Sequence, residues 1–307
     1  MAEKKNGKKR ILIAIIVAVA VVLAVVVVFF VFKKKKGEYR LLKVFEFDGE
    51  GSVEKKGKGK ITPYNNMVLS SGDKVMLDTG KMTLLADDDK YIYFDQHTSI
   101  ELVATGSKKN GKIKIELLKG GITNDIRNKL PVDSSYEVNT PNSTMSVRGT
   151  VFYVYIYEID GVKYTRVCVF DGQVAVRLVY KDGTVDDEEV LVSKGKEVTI
   201  YEDEVTTNYL ADPSDIDWDT LPDDVLVNLQ TIITDGRDLS ITLDELKAII
   251  EGPYEVTFMY DGKEFATQTV KKGEKVSVPK FCPAATGDWD YDFDEPIEQN
   301  TVIEWQN

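Results

Sequence analysis

The sequence has one histidine, two cysteines and no glycine-rich loop, and each shortage removes a class of chemistry. His97, in DQHTSIEL, has no Cys or Asp at a triad-like spacing, and no H-E-x-x-H occurs. Cys168 and Cys282 lie far apart with no C-x-x-C, which argues against a structural zinc site and a disulfide framework alike. Both read as small buried side chains. Gly120-Gly121 is too short to cradle a phosphate, and G-x-S-x-G is absent. Ser143, Ser146 and Thr150 have no nearby base. Carboxylates are plentiful but fall in runs, 87–89 and 186–189, that read as solvated loops. Acids converging from separate strands stay open as a route to glycan hydrolysis. The chain is therefore read as a non-enzyme without cofactor or metal.

Nucleic acid is an equally poor partner. Of 39 basic and 51 acidic residues, nine basic and one acidic fall in the first 36 positions. The remaining 30 and 50 leave the body strongly negative, and such a body repels phosphate backbones.

What is present begins with ILIAIIVAVAVVLAVVVVFFVF, residues 11–32, without one polar side chain. As a helix at about 1.5 Å per residue it spans a bilayer's hydrocarbon core. Lys33 to Lys36 stop it, as an anchor requires and a cleaved signal peptide does not. The lipid bilayer is thus an expected partner through residues 11–32. Basic residues flank both ends almost equally, so charge alone leaves the sidedness open.

The expected organisation is a tail at 1–10, the transmembrane helix at 11–32, and a basic juxtamembrane linker at 33–43. A β domain at 44–204 follows, then an acidic linker with a helical pair at 205–252 and a small β module at 253–307. The fold class is mainly β. The large domain reads as a sandwich, roll or short β-solenoid, with alternating runs punctuated by SSGD (70–73), DTGK (78–81), KNGK (109–112), IDGV (159–162), KDGT (181–184) and SKGK (193–196). In KIKIELLKGGI, Ile113, Ile115 and Leu117 alternate with Lys112, Lys114 and Glu116. From Val147 the chain alternates again. Phe152, Val154 and Ile156 take one face, and Val151, Tyr153, Tyr155 and Tyr157 the other.

Asp215, Asp217 and Asp219 suggest a calcium loop, but Thr220 and Leu226 stand where an EF-hand needs Gly and Glu, so a solvated linker is expected. Leu221, Val225, Leu229 and Ile232 form one helical stripe. Thr242 and Glu245 are spaced as a capping box ahead of Leu246, Ile249 and Ile250. After Gly252-Pro253 three strands are expected, turning at Asp261-Gly262 and Lys272-Gly273. In WDYDFDEPI, Trp289, Tyr291 and Phe293 alternate with Asp288, Asp290, Asp292 and Asp294, which read as a wet strand face rather than a cation ladder.

EVNTPNSTMSVRGTVFYVYI resembles the signature of the FecR domain family, through Thr140, Pro141, Val147, Arg148, Gly149, Thr150, Phe152 and Val154. VCVFDGQVAV, with Gly172, resembles a later family strand, and the likeness spans roughly residues 50 to 200. The C-terminal segment resembles the internalin-type B repeat, a β-grasp-like module of bacterial surface proteins, through Trp289, Phe293, Pro296, Ile297 and Trp305. Both resemblances imply export: tail in the cytoplasm, body outside, in the plasma membrane of a bacterium. The best-known FecR proteins pass a surface signal to a sigma factor. The ten residues ahead of this span are too few for the cytoplasmic regulator domain those proteins carry.

The leading expectation is a membrane-anchored surface protein that binds an envelope protein or a cell-wall or surface polymer. The alternative is a signalling subunit acting through a partner membrane protein. Within the signature, Gly149 is expected to admit a bulge or a second backbone, and Arg148 to donate hydrogen bonds to an adjoining turn. Arg148→Ala should then lower the melting temperature by several degrees, and an unchanged melting curve would contradict a structural role.

Overall fold

The computed structural model describes residues 42–106, 110–147, 149–201, 212–279 and 287–306. The apolar run 11–32, Arg148 and Cys282 lie outside the described residues. Among those described, no helix is long and apolar enough to cross a membrane. The body is mainly β, with two short helices.

One sheet takes in β1 (Leu42–Lys55), β2 (Gly59–Ile61), β3 (Lys74–Ala86), β4 (Lys90–Phe94), β5 (Thr98–Thr105), β6 (Lys112–Ile126), β7 (Ser135–Asn139), β8 (Ser143–Val147), β9 (Val151–Ile159), β10 (Val162–Asp171), β11 (Gln173–Leu178), β12 (Val190–Ser193), β13 (Lys196–Tyr201) and β14 (Ser214–Asp215). Three of these strands belong to two layers at once. In β3, Met82–Ala86 pairs with β4 while Lys74–Leu77 pairs with β5. In β6, Ile122–Ile126 lies against β4 and Lys112–Lys119 against β5. β1 follows β3 round the same bend, shifting register between Glu50 and Gly51. The sheet therefore doubles over. One layer runs β1-β3-β4-β6-β9-β10-β13; the other runs β1-β3-β5-β6-β7-β8-β11-β12. Strands that switch layers at a bend are the corner device of orthogonal β packing.

The alternating sequence fills this doubled sheet. Ile113, Ile115 and Leu117 point inward from the second layer, and Phe152 and Val154 from the first, into one apolar cluster. Across it the buried Tyr136 hydroxyl donates to Asn124 Oδ1 at 2.7 Å.

The corner itself depends on glycine. Gly49 and Gly80 are direct strand partners with φ of 134° and 91°. A Cβ on Gly80 would stand 2.2 Å from Asp48 O, and one on Gly49 2.1 Å from Thr79 O. DTGK at 78–81 is thus no turn, as its sequence suggested, but the bent middle of β3, where glycine serves close approach of two backbones.

Helices α1 (Asp223–Thr234) and α2 (Leu243–Glu251) cover the outer face of the first layer. The capping box of Thr242 and Glu245 opens α2. Val225, Leu229, Ile232 and Leu246 pack on Tyr93, Val151, Tyr153, Cys168 and Phe170. Part of the segment expected as a solvated linker joins them. Ser214–Asp215 pairs with β13, Ile216 is buried, and the Trp218 ring lies 5.6 Å from Phe170.

The last module orders β16 (Lys263–Val270), β15 (Tyr254–Tyr260), β18 (Thr301–Gln306) and β17 (Asp288–Trp289), with β15 and β18 parallel. Trp289, Ile297, Phe293 and Trp305 share its core, while Pro296 is exposed. The third strand expected after Gly273 does not form: residues 274–279 are irregular, with Val276 packed in the core and Gln268 Nε2 donating to Ser277 O at 2.7 Å. Nor do the alternating aspartates line a strand beyond Trp289. Asp290 accepts from Glu304 N at 2.6 Å, Asp292 from Asp294 N at 2.9 Å, and Asp294 pairs with Lys275 at 2.9 Å.

Two glycine variants separate backbone strain from close approach. Gly57 has φ of 76° with nothing near its missing Cβ, so Gly57→Ala should cost about 1–2 kcal/mol. Gly80→Ala adds a collision with backbone and should cost on the order of 3 kcal/mol or more. Urea unfolding of both checks this; equal losses would show that the corner tolerates a side chain.

Candidate functional site

At the corner β6 changes all its neighbours within a few residues. Leu118 is an extra residue between Leu117, paired with Ile100, and Lys119, paired with Ser99. This bulge turns the Leu118 side chain outward, 49% exposed. Gly120 and Gly121 follow, where a Cβ would meet Thr98 Oγ1 at 2.4 Å and Asp95 Oδ2 at 2.2 Å. Thr98 Oγ1 fastens the bend, accepting from Gly121 N and donating to Gly121 O, each at 3.0 Å.

On the other side of β6 the neighbours part. β7 pairs only with Lys112–Glu116 and β9 only with Gly120–Asp125. Between their ends lies a crevice of about 490 Å³. Leu118, Lys119 and Gly120 form its floor and Pro141 one wall. Tyr155, Ile156, Tyr157 and Glu158 form the other. Those four come from both faces of β9, so the crevice runs along the strand's edge. His97 stands at its mouth, exposed, with φ of 58°.

A tyrosine row leads away from the crevice. Rings stack from Tyr153 to Tyr155 (6.1 Å), Tyr157 (5.5 Å) and Tyr164 (5.0 Å), and Tyr201 lies tilted against Tyr164 at 6.4 Å. The helices seal its buried end and leave Tyr201 45% exposed.

The sealed end holds the chain's unusual acids. Asp95 Oδ2 accepts from Tyr153 Oη at 2.6 Å, and Oδ1 is buried without a hydrogen bond. Burial pushes the Asp95 carboxyl up to about 7, against the lowering pull of the Tyr153 hydroxyl, with Asp224 of α1 adding to the rise. Asp125, fully buried, sits between Arg127 Nε at 2.9 Å and Arg237 Nε at 3.3 Å. Arg127 also reaches Asp235 at 2.6 Å and lies 4.1 Å over the Tyr91 ring. Arg237 reaches Asp171 at 3.1 Å. These pairs pin the loop after α1 to the sheet.

The signature residues hold the fold around the crevice. Thr140 Oγ1 lies 2.7 Å from Ser143 Oγ and 3.1 Å from Thr165 Oγ1; Thr165 Oγ1 donates to Asn142 Oδ1 at 2.6 Å. This buried network locks the turn carrying Pro141 onto β10. Val147 ends β8 in the core, and Gly149 links β8 to β9 with φ of 76°. A Cβ there would stand 3.4 Å from Lys129 Cα, an ordinary contact, so the glycine serves the positive φ of the connection rather than close approach of a second backbone. Gly172, at φ of 80°, makes room for Thr150, whose Cγ2 would stand 2.6 Å from a Cβ. Phe152 is core. The C-terminal set Trp289, Phe293, Pro296, Ile297 and Trp305 lies in its own module.

None of this is nucleophilic machinery. Burial pushes the Cys168 thiol up, and it donates to Glu197 Oε2 at 3.3 Å. Among the described residues no three His, Cys, Asp or Glu side chains are grouped to hold a metal. The arrangement offers a groove, a strand edge and aromatic surface.

Residues 75–175 match the FecR protein family. The FecR-matching stretch contains the β3 and β6 bends of the corner, the floor of the crevice, Asp95 and Asp125, and it leaves out β1, the helices and the last module. No match to a curated protein was found. Two crystal structures of a candidate anti-sigma factor from Parabacteroides distasonis ATCC 8503 are similar. The 1.65 Å structure has TM-score 0.38 and 12% identity over 76% of this chain and 98% of that one. The 2.50 Å structure has TM-score 0.39 and 11% identity over 76% and 99%. Overlaps so low do not bear on function.

Sequence pattern located the signature and the tyrosine face but missed the crevice, Asp95 and the arginine pairs, because these depend on which strands meet. The repeated glycines near Thr98 were the one usable signal.

Asp95 makes stability depend on pH. Its folded-state pKa lies above the ordinary value, so its favourable contribution is complete below about pH 4 and lost as pH rises through about 7. The stability difference between wild type and Asp95→Asn should therefore shift against wild type over that window, by on the order of 4 kcal/mol at most. Urea unfolding at a series of pH values reads it, and a pH-independent difference would contradict the assignment.

Proposed function

We propose that this chain is a non-enzymatic, membrane-anchored regulatory protein whose β body lies outside the membrane and engages a partner protein. The observation that carries this reading is the FecR match over residues 75–175, which takes in the central strands of the doubled sheet and every residue lining the crevice. The apolar run 11–32 supports the anchor, and the exported character of both resembled families supports a cytoplasmic tail with an extracytoplasmic body.

A second reading, attachment to a cell-wall or surface polymer, is favoured by the last module. It has its own core and resembles a surface-protein repeat, so it would act as a spacer or adhesion unit. Its Lys272 meets Asp223 of α1 at 2.5 Å, and Tyr254 Oη donates to Ile249 O at 3.0 Å, so it abuts the helices.

Crosslinking of the tagged full chain in intact host cells, followed by mass spectrometry, separates the two. The regulatory reading expects an integral membrane protein with a cytoplasmic domain among the captured species. Cell-wall polymer alone would overturn it in favour of the attachment reading.

A further inference from the structure

β9 ends beyond the reach of β6, and its last residues leave one backbone edge open. β9 and β10 are joined by a two-residue turn, Asp160-Gly161, with φ of 52° and 82°. Positive φ at both places is the type I′ hairpin, which makes Ile159 and Val162 a hydrogen-bonded pair. Antiparallel pairs alternate from there. Tyr157 therefore bonds to Tyr164, while Ile156 and Glu158 aim their N–H and C=O groups away from β10. Ile156 finds Gly120 of β6. For Glu158 no strand remains, because β6 has turned at its glycines to follow β5 and β7. Its backbone faces the crevice of about 490 Å³.

Such an edge is a template for another strand. Here it is flanked by the outward Leu118, 49% exposed, and Ile159, 53% exposed. Lys119 and Lys163 also line the crevice, and neither has an ion-pair partner among the described residues. In a body with 30 basic against 50 acidic residues, a cleft lined by Lys119, Lys163 and one glutamate has local charge opposite in sign to the body's net charge.

We propose that the crevice takes an extended, acidic segment of a partner protein, which adds as a strand to the Glu158 edge of β9. Main-chain hydrogen bonds to Glu158 supply the pairing, an apolar side chain of the segment rests on Leu118, and its carboxylates meet Lys119 and Lys163. This is β-augmentation, with affinity from backbone pairing and selectivity from the side-chain sites. Self-association is opposed by the net negative charge that two copies of the body share. The inference rests on the partner-binding reading above and specifies its mode.

The test pans a random-peptide display library on the full chain in lipid nanodiscs. Enriched peptides should be rich in Asp and Glu, bind less tightly at high salt, and label a photoreactive phenylalanine analogue placed at Leu118. Glu158→Pro removes the free N–H without touching a β9–β10 bond and should weaken binding about tenfold or more, whereas Glu158→Ala should keep it. Lys119→Glu with Lys163→Glu should weaken it similarly. If Glu158→Pro fails to fold, labelling at Leu118 and the lysine variants still decide. Peptides without acidic bias, labelling absent at Leu118, or binding indifferent to these variants would overturn the edge proposal. Cellular capture of a membrane partner by the Glu158→Pro chain would overturn it too and leave the partner-binding reading standing.

Discussion

Everything in the β body follows from one packing constraint: three long strands must turn from one layer into the other at the same level. A side chain at that level has nowhere to go, since the facing carbonyl oxygens of Asp48 and Thr79 lie where a Cβ would be. Glycine at 49, 80, 120 and 121 removes the obstacle, and the bend then splits a single strand position into β4 and β5. On the opposite side of β6 the same bend separates β9 from β7. The crevice is therefore a by-product of the corner, and its shape is fixed by the core rather than by a mobile loop.

The signature residues gain a physical meaning in this frame. Thr140, Asn142, Ser143 and Thr165 bury four polar side chains in mutual hydrogen bonds at the far wall of the crevice, where an unpaired hydroxyl would be costly. Thr150 and Gly172 interlock where β9 and β11 begin. These contacts hold the walls apart at a set spacing. The helices meanwhile seal the aromatic face over Tyr153 and Asp95, so that solvent reaches only the end of the tyrosine row away from them. Rigid walls, one closed face and one open edge are consistent with a body that presents a fixed docking surface to a partner.

Much of the local structure was legible in the sequence. The period-two patterns at 112–117 and 151–157 point the correct side chains inward, and the capping box at Thr242 starts α2 where its spacing says. Failures arose where one local signal serves two physical ends. Gly80 in DTGK looks like a turn because glycine supplies positive φ, yet it is needed for close approach inside a strand. The stretch 274–279 has the composition of a strand but spends its backbone beside Gln268 without ladder pairing. Asp95 and Asp125 carry no local signal of burial, since that burial depends on helices far later in the chain. No local pattern encodes that β6 exchanges partners, so the crevice was invisible until strand registers were known.

β9 loses its β6 partner after Ile156, which leaves the outward backbone groups of Glu158 without a strand to meet. Residue-resolved amide hydrogen exchange on the free full chain measures this directly. The account predicts slow exchange at Val154 and Ile156, which face β6, and at Tyr157, which faces β10, with rapid exchange at Glu158 between Tyr157 and the hairpin. Protection at Glu158 equal to that at Ile156 would mean that the edge is already occupied, and would contradict the account.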